Sequence, residues 1–160
     1  MTSLKALIFD WGDTVMRDYA LEGPMWKWKK VDWIDGAEEA LKKLSKEYRC
    51  IIATSADHSD TEDMIKALGM VGADKYFDYF YSKREIGYKK PDLKFFAAVA
   101  GISGYDPDEC VMIGNSYEKD ILGAKAAGMT TVFFNEKKTK GTYPEADHVI
   151  HSMNQLLSLF

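Results

Sequence analysis

Short apolar runs that each lead into polar residues constrain the fold of this 160-residue chain more than any other feature. The clearest runs lie at residues 4–9, 50–53, 110–113 and 131–134, and they are continuous rather than alternating. Continuous apolar strands are buried on both faces, which is typical of a parallel sheet covered by helices. Stretches with helical periodicity separate the runs. The sequence therefore predicts an α/β fold with a doubly wound, Rossmann-like parallel sheet flanked by helices.

The segments between the runs carry helix signals of their own. Asp35 and Glu38 form a capping-box pattern, which predicts a helix with Asp35 as its cap. Asp92 predicts the cap of another helix. The expected inward face of that second helix is Leu93, Phe96, Ala97 and Ala100. Further helices are expected at 60–68, 117–127 and 153–160, and further strands at 79–81 and 146–150.

Length, charge and cysteine content bound the class of protein. A chain of this length fits one domain, so we expect a single domain over residues 1–160. The 21 basic and 25 acidic residues give a net charge of −4, which carries no clear signal for nucleic acid or an anionic membrane. No apolar run approaches the roughly 18 residues of a membrane span, and no signal-peptide core follows Met1. Cys50 and Cys110 are expected as reduced core residues, which favours a cytoplasmic protein.

Polar side chains cluster where the predicted strands end. Asp10 follows the first run, Thr54 and Ser55 follow the second, and Asn115 comes shortly after the third. Ligands of open α/β sheets bind at this carboxyl edge. A carboxylate there suits a nucleophile or a metal ligand, and hydroxyls before a helix suit an anion. Taken singly, each of these residues is more often a cap or a turn residue, so the prediction depends on their joint order.

That joint order resembles the motifs of the haloacid dehalogenase (HAD) superfamily of hydrolases. Residues 10–14 (DWGDT) are similar to its first motif, D-x-D-x-T, and Thr54 ends a strand as in its second. Residues 90–92 (KPD) resemble its third motif. Residues 114–120 (GNSYEKD), with GAKAAGM at 123–129, resemble its fourth motif and are the most specific part. The likeness covers nearly the whole chain.

The resemblance implies a phosphatase mechanism. Asp10 would attack phosphorus and form an aspartyl-phosphate that water then hydrolyses, while Thr54, Ser55 and Lys90 bind the phosphoryl group. The implied cofactor is Mg²⁺. Its implied protein ligands are Asp10, the backbone carbonyl of Gly12, Asn115 and Asp120. The family also implies the strand order 5-4-1-2-3, which would place Cys50 and Cys110 too far apart for a disulfide.

Two departures from the family pattern bear on catalysis. Gly12 stands where the phosphatases place the Asp that protonates the leaving group. Asp13, one place later, is either a loop residue or a displaced acid, and His58 is either an alternative acid or a surface residue. Asn115 replaces the first Asp of the fourth motif, which predicts weaker Mg²⁺ binding. Two alternatives stay open: hydrolysis of a C–halogen or C–P bond, and an impaired HAD domain that binds a phosphorylated ligand.

Residues 15–34, which we call the flap, stand where many relatives insert a cap domain. They are too few for a helical cap, which needs about 60 residues or more. Trp26, Lys27, Trp28 and Lys29 alternate, which predicts a strand with indoles on one face and ammonium groups on the other. The indoles then either pack on the body or form a substrate-binding wall. A site without a cap is open, so the resemblance implies a phosphorylated small molecule or macromolecule as substrate, with a homo-oligomer as one means of closure.

Overall fold

Six parallel strands form one sheet in the computed structural model, which describes residues 2–160. The strands are β1 (Ala6–Phe9), β2 (Arg49–Ala53), β3 (Tyr79–Tyr81), β4 (Cys110–Gly114), β5 (Thr130–Phe134) and β6 (His148–Ile150). Their order is β3-β2-β1-β4-β5-β6. The α/β fold is confirmed, as is the implied order around the first strand, with β6 added beside β5.

Helices connect the successive strands from β1 to β5 and cover both faces of the sheet. They are α1 (Ala37–Leu44), α2 (Thr61–Met70), α3 (Lys83–Ile86), α4 (Leu93–Ile102) and α5 (Leu122–Ala126). Shorter 3₁₀ turns lie at Met25–Lys27, Asp74–Tyr76, Pro107–Glu109 and Met153–Ser158, and a π-helical turn lies at Tyr117–Ile121. Within residues 2–160, no helix is both long and apolar enough to cross a membrane.

Two apolar cores lie on opposite faces of the sheet because side chains alternate along each strand. Leu7 and Phe9 of β1 face the core under α1 and α2, whereas Ile8 faces the core under α4 and α5. Cys50 belongs to the first core and Cys110 to the second. Both thiols are free and buried, and burial raises the pKa of each to about 12. The sheet itself therefore separates them, and both are unreactive at neutral pH.

Two predicted helix details are wrong. Helix α1 buries Ala37, Ala40, Leu41 and Leu44. Asp35 does not cap it, because Gly36 precedes the helix in a left-handed conformation with no side-chain cap. A Cβ on Gly36 would lie 2.7 Å from Asn154 Oδ1, so a tertiary contact determines this start. Asp92 does cap α4, accepting from the Lys94 N–H at 2.9 Å. The buried face of α4 is Phe95, Phe96, Val99 and Ala100, while the predicted Leu93 and Ala97 are exposed.

The flap is held by backbone pairing at its two ends and contains no extended strand. The Ile34 N–H donates to the Val15 carbonyl at 2.9 Å, so the segment leaves and rejoins the body at one place. Its middle folds into the turn Met25–Lys27, which begins after Pro24. The predicted strand at 26–29 is therefore wrong. The described chain has a flap and no cap domain, as the motif spacing predicts.

Candidate active site

The candidate site lies at the carboxyl edge of the three central strands. Asp10 directly follows β1, Thr54 directly follows β2, and β4 ends at Gly114. From β1 the chain continues to β2 and β3 on one side of β1, and it then crosses back to form β4 on the other side of β1. This is the topological switch point of the sheet, where open α/β folds bind ligands. The fold thus brings together strand ends that are distant in sequence.

A buried lysine joins two carboxylates at this edge. Lys90 Nζ lies 2.8 Å from Asp10 Oδ1 and 2.9 Å from Asp120 Oδ1. The side chains of Lys90 and Asp120 are 3% and 2% exposed, whereas that of Asp10 is 14% exposed and reaches the surface. We call these three residues the strand-end network. Burial lowers the pKa of Lys90, but the two carboxylates outweigh it and raise that pKa above its usual range, so the ammonium stays charged.

Asp120 is positioned by the loop and turn that follow β4. Ser116 begins the π-helical turn, accepting from the Lys119 N–H at 3.1 Å, and its own N–H donates to Asp120 Oδ2 at 3.1 Å. A Cβ on Gly114 would lie 2.3 Å from that same oxygen, so the strand has to end in glycine. Burial raises the pKa of Asp120 to about 6, and the Asp10 charge adds to the rise while Lys90 opposes it.

Helix α5, which follows this turn, packs closely against the loop that carries Lys90. A Cβ on Gly123 of α5 would lie 2.4 Å from the Pro91 carbonyl oxygen. Only glycine therefore lets α5 approach the loop that carries Lys90 so closely. The GAKAAGM sequence of the fourth motif thus has a packing role beside the third motif.

Thr14 links the network to the loop after β4. Its buried hydroxyl lies 3.2 Å from Asp10 Oδ2 and 3.3 Å from Asn115 Oδ1. The hydroxyl has one proton, so it donates a hydrogen bond to only one of these two oxygens at a time. Thr14 is a site residue that was not predicted from the sequence, although its place in the first motif was the available signal.

A cavity of about 500 Å³ opens beside the network, between the flap and the loop after β2. Gly12 and Thr54 contribute to its lining, so it borders Asp10, although Asp10 itself is not a lining residue. Its apolar wall includes Leu21, Met25 and Trp28, and its polar wall includes Ser55, His58 and Lys119. The structure thus places the predicted Thr54, Ser55 and His58 together around one open space.

The two central tryptophans of the flap have different surroundings. Trp28 lines the cavity, and its Nε1–H donates to the Gly23 carbonyl at 3.0 Å, which holds the indole in place. Trp26 packs on α2 instead, where its Nε1–H donates to Asp63 Oδ1 at 2.8 Å. Both indoles therefore pack against the body, as one of the two interpretations expects, and Trp28 in addition lines the cavity.

The basic residue at the cavity is not one that the sequence singled out. Lys27 and Lys29 are exposed and are not among the lining residues. Lys27 Nζ instead lies 5.1 Å from the Trp26 ring centroid. Lys119, from the fourth motif, lines the cavity. Nothing in the local sequence distinguishes Lys119 from other exposed lysines, because the contact arises from folding.

Asp13 and Gly12 form a tight loop after β1. Asp13 has a positive φ of 59°, and its Oδ1 accepts the Asp18 N–H at 3.0 Å. Burial raises the pKa of the Asp13 carboxyl. These contacts favour Asp13 as a loop-stabilising residue. Gly12 is not in the left-handed region, and a Cβ there would make ordinary contacts, the nearest at 3.5 Å from Asp18 Cβ.

The oxygen atoms at this edge fit a hard divalent cation. Asp10 Oδ2 and Asn115 Oδ1 converge on one hydroxyl, and the strand-end network keeps a net negative charge. Mg²⁺ uses one or two carboxylates together with waters and substrate phosphates. Within residues 2–160, no group of three or more His, Cys, Asp or Glu side chains is placed to hold a metal. The donors present suit a sparse magnesium site completed by substrate.

Comparison with known proteins identifies the family. The sequence profile of haloacid dehalogenase-like hydrolases matches residues 11–134. The chain belongs to this family. The HAD chain is 33% identical over 131 residues to the glyceraldehyde 3-phosphate phosphatase of Pyrococcus furiosus, covering 79% of this chain and 53% of that protein. It is also 33% identical over 106 residues to the enzyme of the same name from Methanothermobacter thermautotrophicus, covering 66% and 44%.

The HAD chain spans about half the length of these curated relatives. Among solved structures, a HAD phosphatase from Thermococcus onnurineus superposes with a TM-score of 0.82. The match covers 98% of this chain and 97% of that one at 21% sequence identity, which shows a shared fold.

Proposed function

We propose that this HAD chain is a Mg²⁺-dependent phosphatase that works through an aspartyl-phosphate on Asp10. The observation that carries the proposal is the Asp10 carboxylate, held 2.8 Å from a buried ammonium beside an open cavity. A partly exposed carboxylate with a fixed cationic partner is suited to nucleophilic attack on an anionic substrate. Two relatives bearing phosphatase names support the reaction class.

In the first step, a carboxylate oxygen of Asp10 forms a bond to phosphorus as the bond to the leaving-group oxygen breaks. Lys90 donates a hydrogen bond to Asp10 Oδ1 and offsets the charge gathered around phosphorus. Asp120 holds Lys90 in place as a positioning residue. Thr54 and Ser55, at the cavity wall, donate to the phosphoryl oxygens. Water then attacks phosphorus and releases phosphate, which restores the Asp10 carboxylate.

Magnesium, when bound, neutralises charge that develops on the phosphoryl group. Asp10 and Asn115 would hold it, with the Gly12 carbonyl and Asp120 as the further family positions. Thr14 orients the first two ligands, since its hydroxyl reaches an oxygen of each. The two oxygens of Asp120 already bond to Lys90 and to the Ser116 N–H, which favours Asn115 as the fourth-motif ligand.

The open cavity and the phosphatase relatives support a phosphorylated substrate. A phosphorylated small molecule is the favoured substrate, because the matched relatives are named for a three-carbon phosphate. A phosphoryl group on a macromolecule also reaches an open site, and a homo-oligomer would close it. We further propose one catalytic domain over residues 1–160 and a cytoplasmic location.

The test is capture of the phosphoryl-enzyme. The purified protein is incubated with labelled acetyl phosphate and Mg²⁺, quenched in acid, and digested to locate the label. We expect the label on Asp10 and expect Asp10→Asn to lower turnover on the order of 10³-fold or more. Asp35→Asn is the matched control, because Asp35 is exposed and caps nothing.

Other outcomes point to the alternatives. Label retained in Asp10→Asn contradicts the assigned nucleophile. Halide release from a 2-haloacid without a divalent cation favours dehalogenation instead. Tight binding of a phosphorylated ligand with no phosphate release by the wild-type protein favours an impaired, ligand-binding domain.

A further inference from the structure

Asp18 occupies the space into which a side chain at position 12 would extend. A Cβ built on Gly12 would lie 3.5 Å from Asp18 Cβ and 3.6 Å from Asp18 Oδ2. Gly12 and Asp18 line the same cavity, together with Thr54. The Asp18 carboxyl group, which belongs to the flap, therefore lies close to the place where the family's first motif has a carboxyl group on the loop after β1. Nothing in the sequence pattern marks this position, since Asp18 is eight residues from the nucleophile.

Contacts on both sides hold Asp18 in this place. Its N–H donates to Asp13 Oδ1 at 3.0 Å, and its own Oδ1 accepts the Ala20 N–H at 2.8 Å. Arg17, the preceding residue, forms a two-bond ion pair with Glu136 at 2.6 and 2.9 Å. Across residues 2–160, Asp18 Oδ2 accepts no hydrogen bond. The residue is anchored through its backbone and one oxygen, and its second oxygen is available to a ligand.

We propose that Asp18 is the general acid–base that replaces the missing residue at position 12. The assignment rests on the proposed phosphatase function. In the first step, Asp10 bonds to phosphorus, the electron pair of the breaking P–O bond goes to the leaving oxygen, and that oxygen takes the proton of the Asp18 carboxyl. In the second step, the Asp18 carboxylate takes a proton from the attacking water as the bond between phosphorus and Asp10 breaks.

The quality of the leaving group separates this role from a structural one. An alkoxide leaves poorly and needs a proton in the transition state, whereas the acetate of acetyl phosphate leaves without one. For Asp18→Asn we expect kcat/KM, which reports formation of the phosphoryl-enzyme, to fall about 10²-fold on glycerol phosphate and to change less than about threefold on acetyl phosphate. Asparagine keeps an oxygen that accepts the Ala20 N–H, so the flap retains its anchor.

Two further variants complete the experiment. Glu22→Gln removes one negative charge from an exposed flap position that does not line the cavity, and it controls for charge alone. The double variant Gly12→Asp/Asp18→Asn restores a carboxyl group from the loop side. Position 12 has an ordinary φ, and a Cβ there would make only ordinary van der Waals contacts, so we expect the double variant to recover kcat/KM on glycerol phosphate at least about tenfold over Asp18→Asn.

The results distinguish this assignment from the proposed function. Equal losses of kcat/KM on the two substrates in Asp18→Asn overturn the assignment while leaving Asp10 as the nucleophile. A wild-type protein that cleaves acetyl phosphate but not alkyl phosphates also overturns it. If the wild-type protein releases no phosphate from either substrate, the proposed function fails and this assignment fails with it.

Discussion

The flap lines the cavity and the strand-end network lies beside it, but the two are built in different ways. In the network, Asp10 directly follows β1, whereas Lys90 and Asp120 come from the connections before and after β4 and are almost fully buried. The flap is irregular, and single contacts such as Trp26 to Asp63 and Arg17 to Glu136 tie it to the body. The proposed nucleophile and the groups that hold it therefore lie in the buried network, while the flap contributes side chains that line the cavity, Asp18 and Trp28 among them.

This division predicts that variants of the network change stability and kcat, whereas variants of the apolar cavity wall that the flap supplies change KM. Lys90→Met is the strongest test, because it leaves two buried carboxylates without their shared cation. We expect a loss of about 3–5 kcal/mol in the free energy of unfolding and a fall of about 10²–10³-fold in kcat. Urea unfolding and acetyl phosphate turnover measure the two effects. Lys89→Met, at the exposed neighbouring position, is the control, and equal effects in both variants would contradict the network.

Asn115→Asp sharpens the comparison at the edge of the network. The added carboxylate suits Mg²⁺ and keeps an oxygen for the Thr14 hydroxyl, so we expect affinity to rise on the order of tenfold. Titration calorimetry without substrate measures the change. Unchanged or weaker binding would mean that the fourth-motif ligand lies elsewhere, with Asp120 the next candidate.

The two flap tryptophans provide a matched pair within one segment. We expect Trp28→Ala to raise KM about tenfold at nearly constant kcat, because the apolar wall of the cavity is lost. Trp26→Ala should instead lower the free energy of unfolding by about 1–3 kcal/mol and leave KM unchanged. Steady-state kinetics and urea unfolding, measured on both variants, distinguish the effect on KM from the effect on stability. A KM effect of the same size in both would mean that Trp26 also contacts substrate.

Lysines at and away from the cavity provide a smaller contrast. Lys119→Gln should raise KM about fivefold, which corresponds to roughly 1 kcal/mol for one solvated charge pair. Lys29→Gln should have a smaller effect, because Lys29 does not line the cavity. Repeating both measurements at high salt should shrink the Lys119 effect through screening. A larger effect for Lys29 would place the substrate over the flap surface instead.

The smallest expected effect concerns the tether of the flap. Glu136→Gln removes the partner of Arg17, and each of these side chains is 30% exposed, so the cost should stay below about 1 kcal/mol. The Arg17 hydrogen bond lowers the pKa of Glu136 below 4.5. The stabilisation is therefore complete above pH 4.5 and is lost as the pH falls further. Unfolding measured on both proteins at neutral and acidic pH should show the difference shrinking; a constant difference would assign the effect to packing.

Sequence reasoning succeeded where one physical rule dominates the local pattern. The continuous apolar runs required a parallel sheet, and the sheet required its polar strand ends to meet, so the positions of Asp10, Thr54 and Asn115 followed. The contact between Lys90 and Asp120 needed the family motifs as well, because no local pattern joins residues on different connections.

It failed where distant contacts compete with local preference. Asp35 has the sequence of a helix cap, yet packing of Gly36 against Asn154 determines the start of α1. The alternation at residues 26–29 suggested a strand, but four residues are a short sample, and the turn after Pro24 overrides them. Lys119 and Asp18 could not have been chosen in advance, since their sites exist only once the flap has folded over the sheet edge.

The close approach at Gly114 also limits how sequences of this kind can diverge. Any substitution there brings a Cβ to within 2.3 Å of Asp120 Oδ2 and would displace the anchor of Lys90. Asn115, the next residue, is half-buried and meets no such obstacle. Of these two adjacent positions, only position 115 therefore accepts substitution. Substitutions at position 115 would change the affinity for the proposed cation. Gly114 has to be retained, because it leaves room for Asp120 and so keeps Lys90 in place beside Asp10.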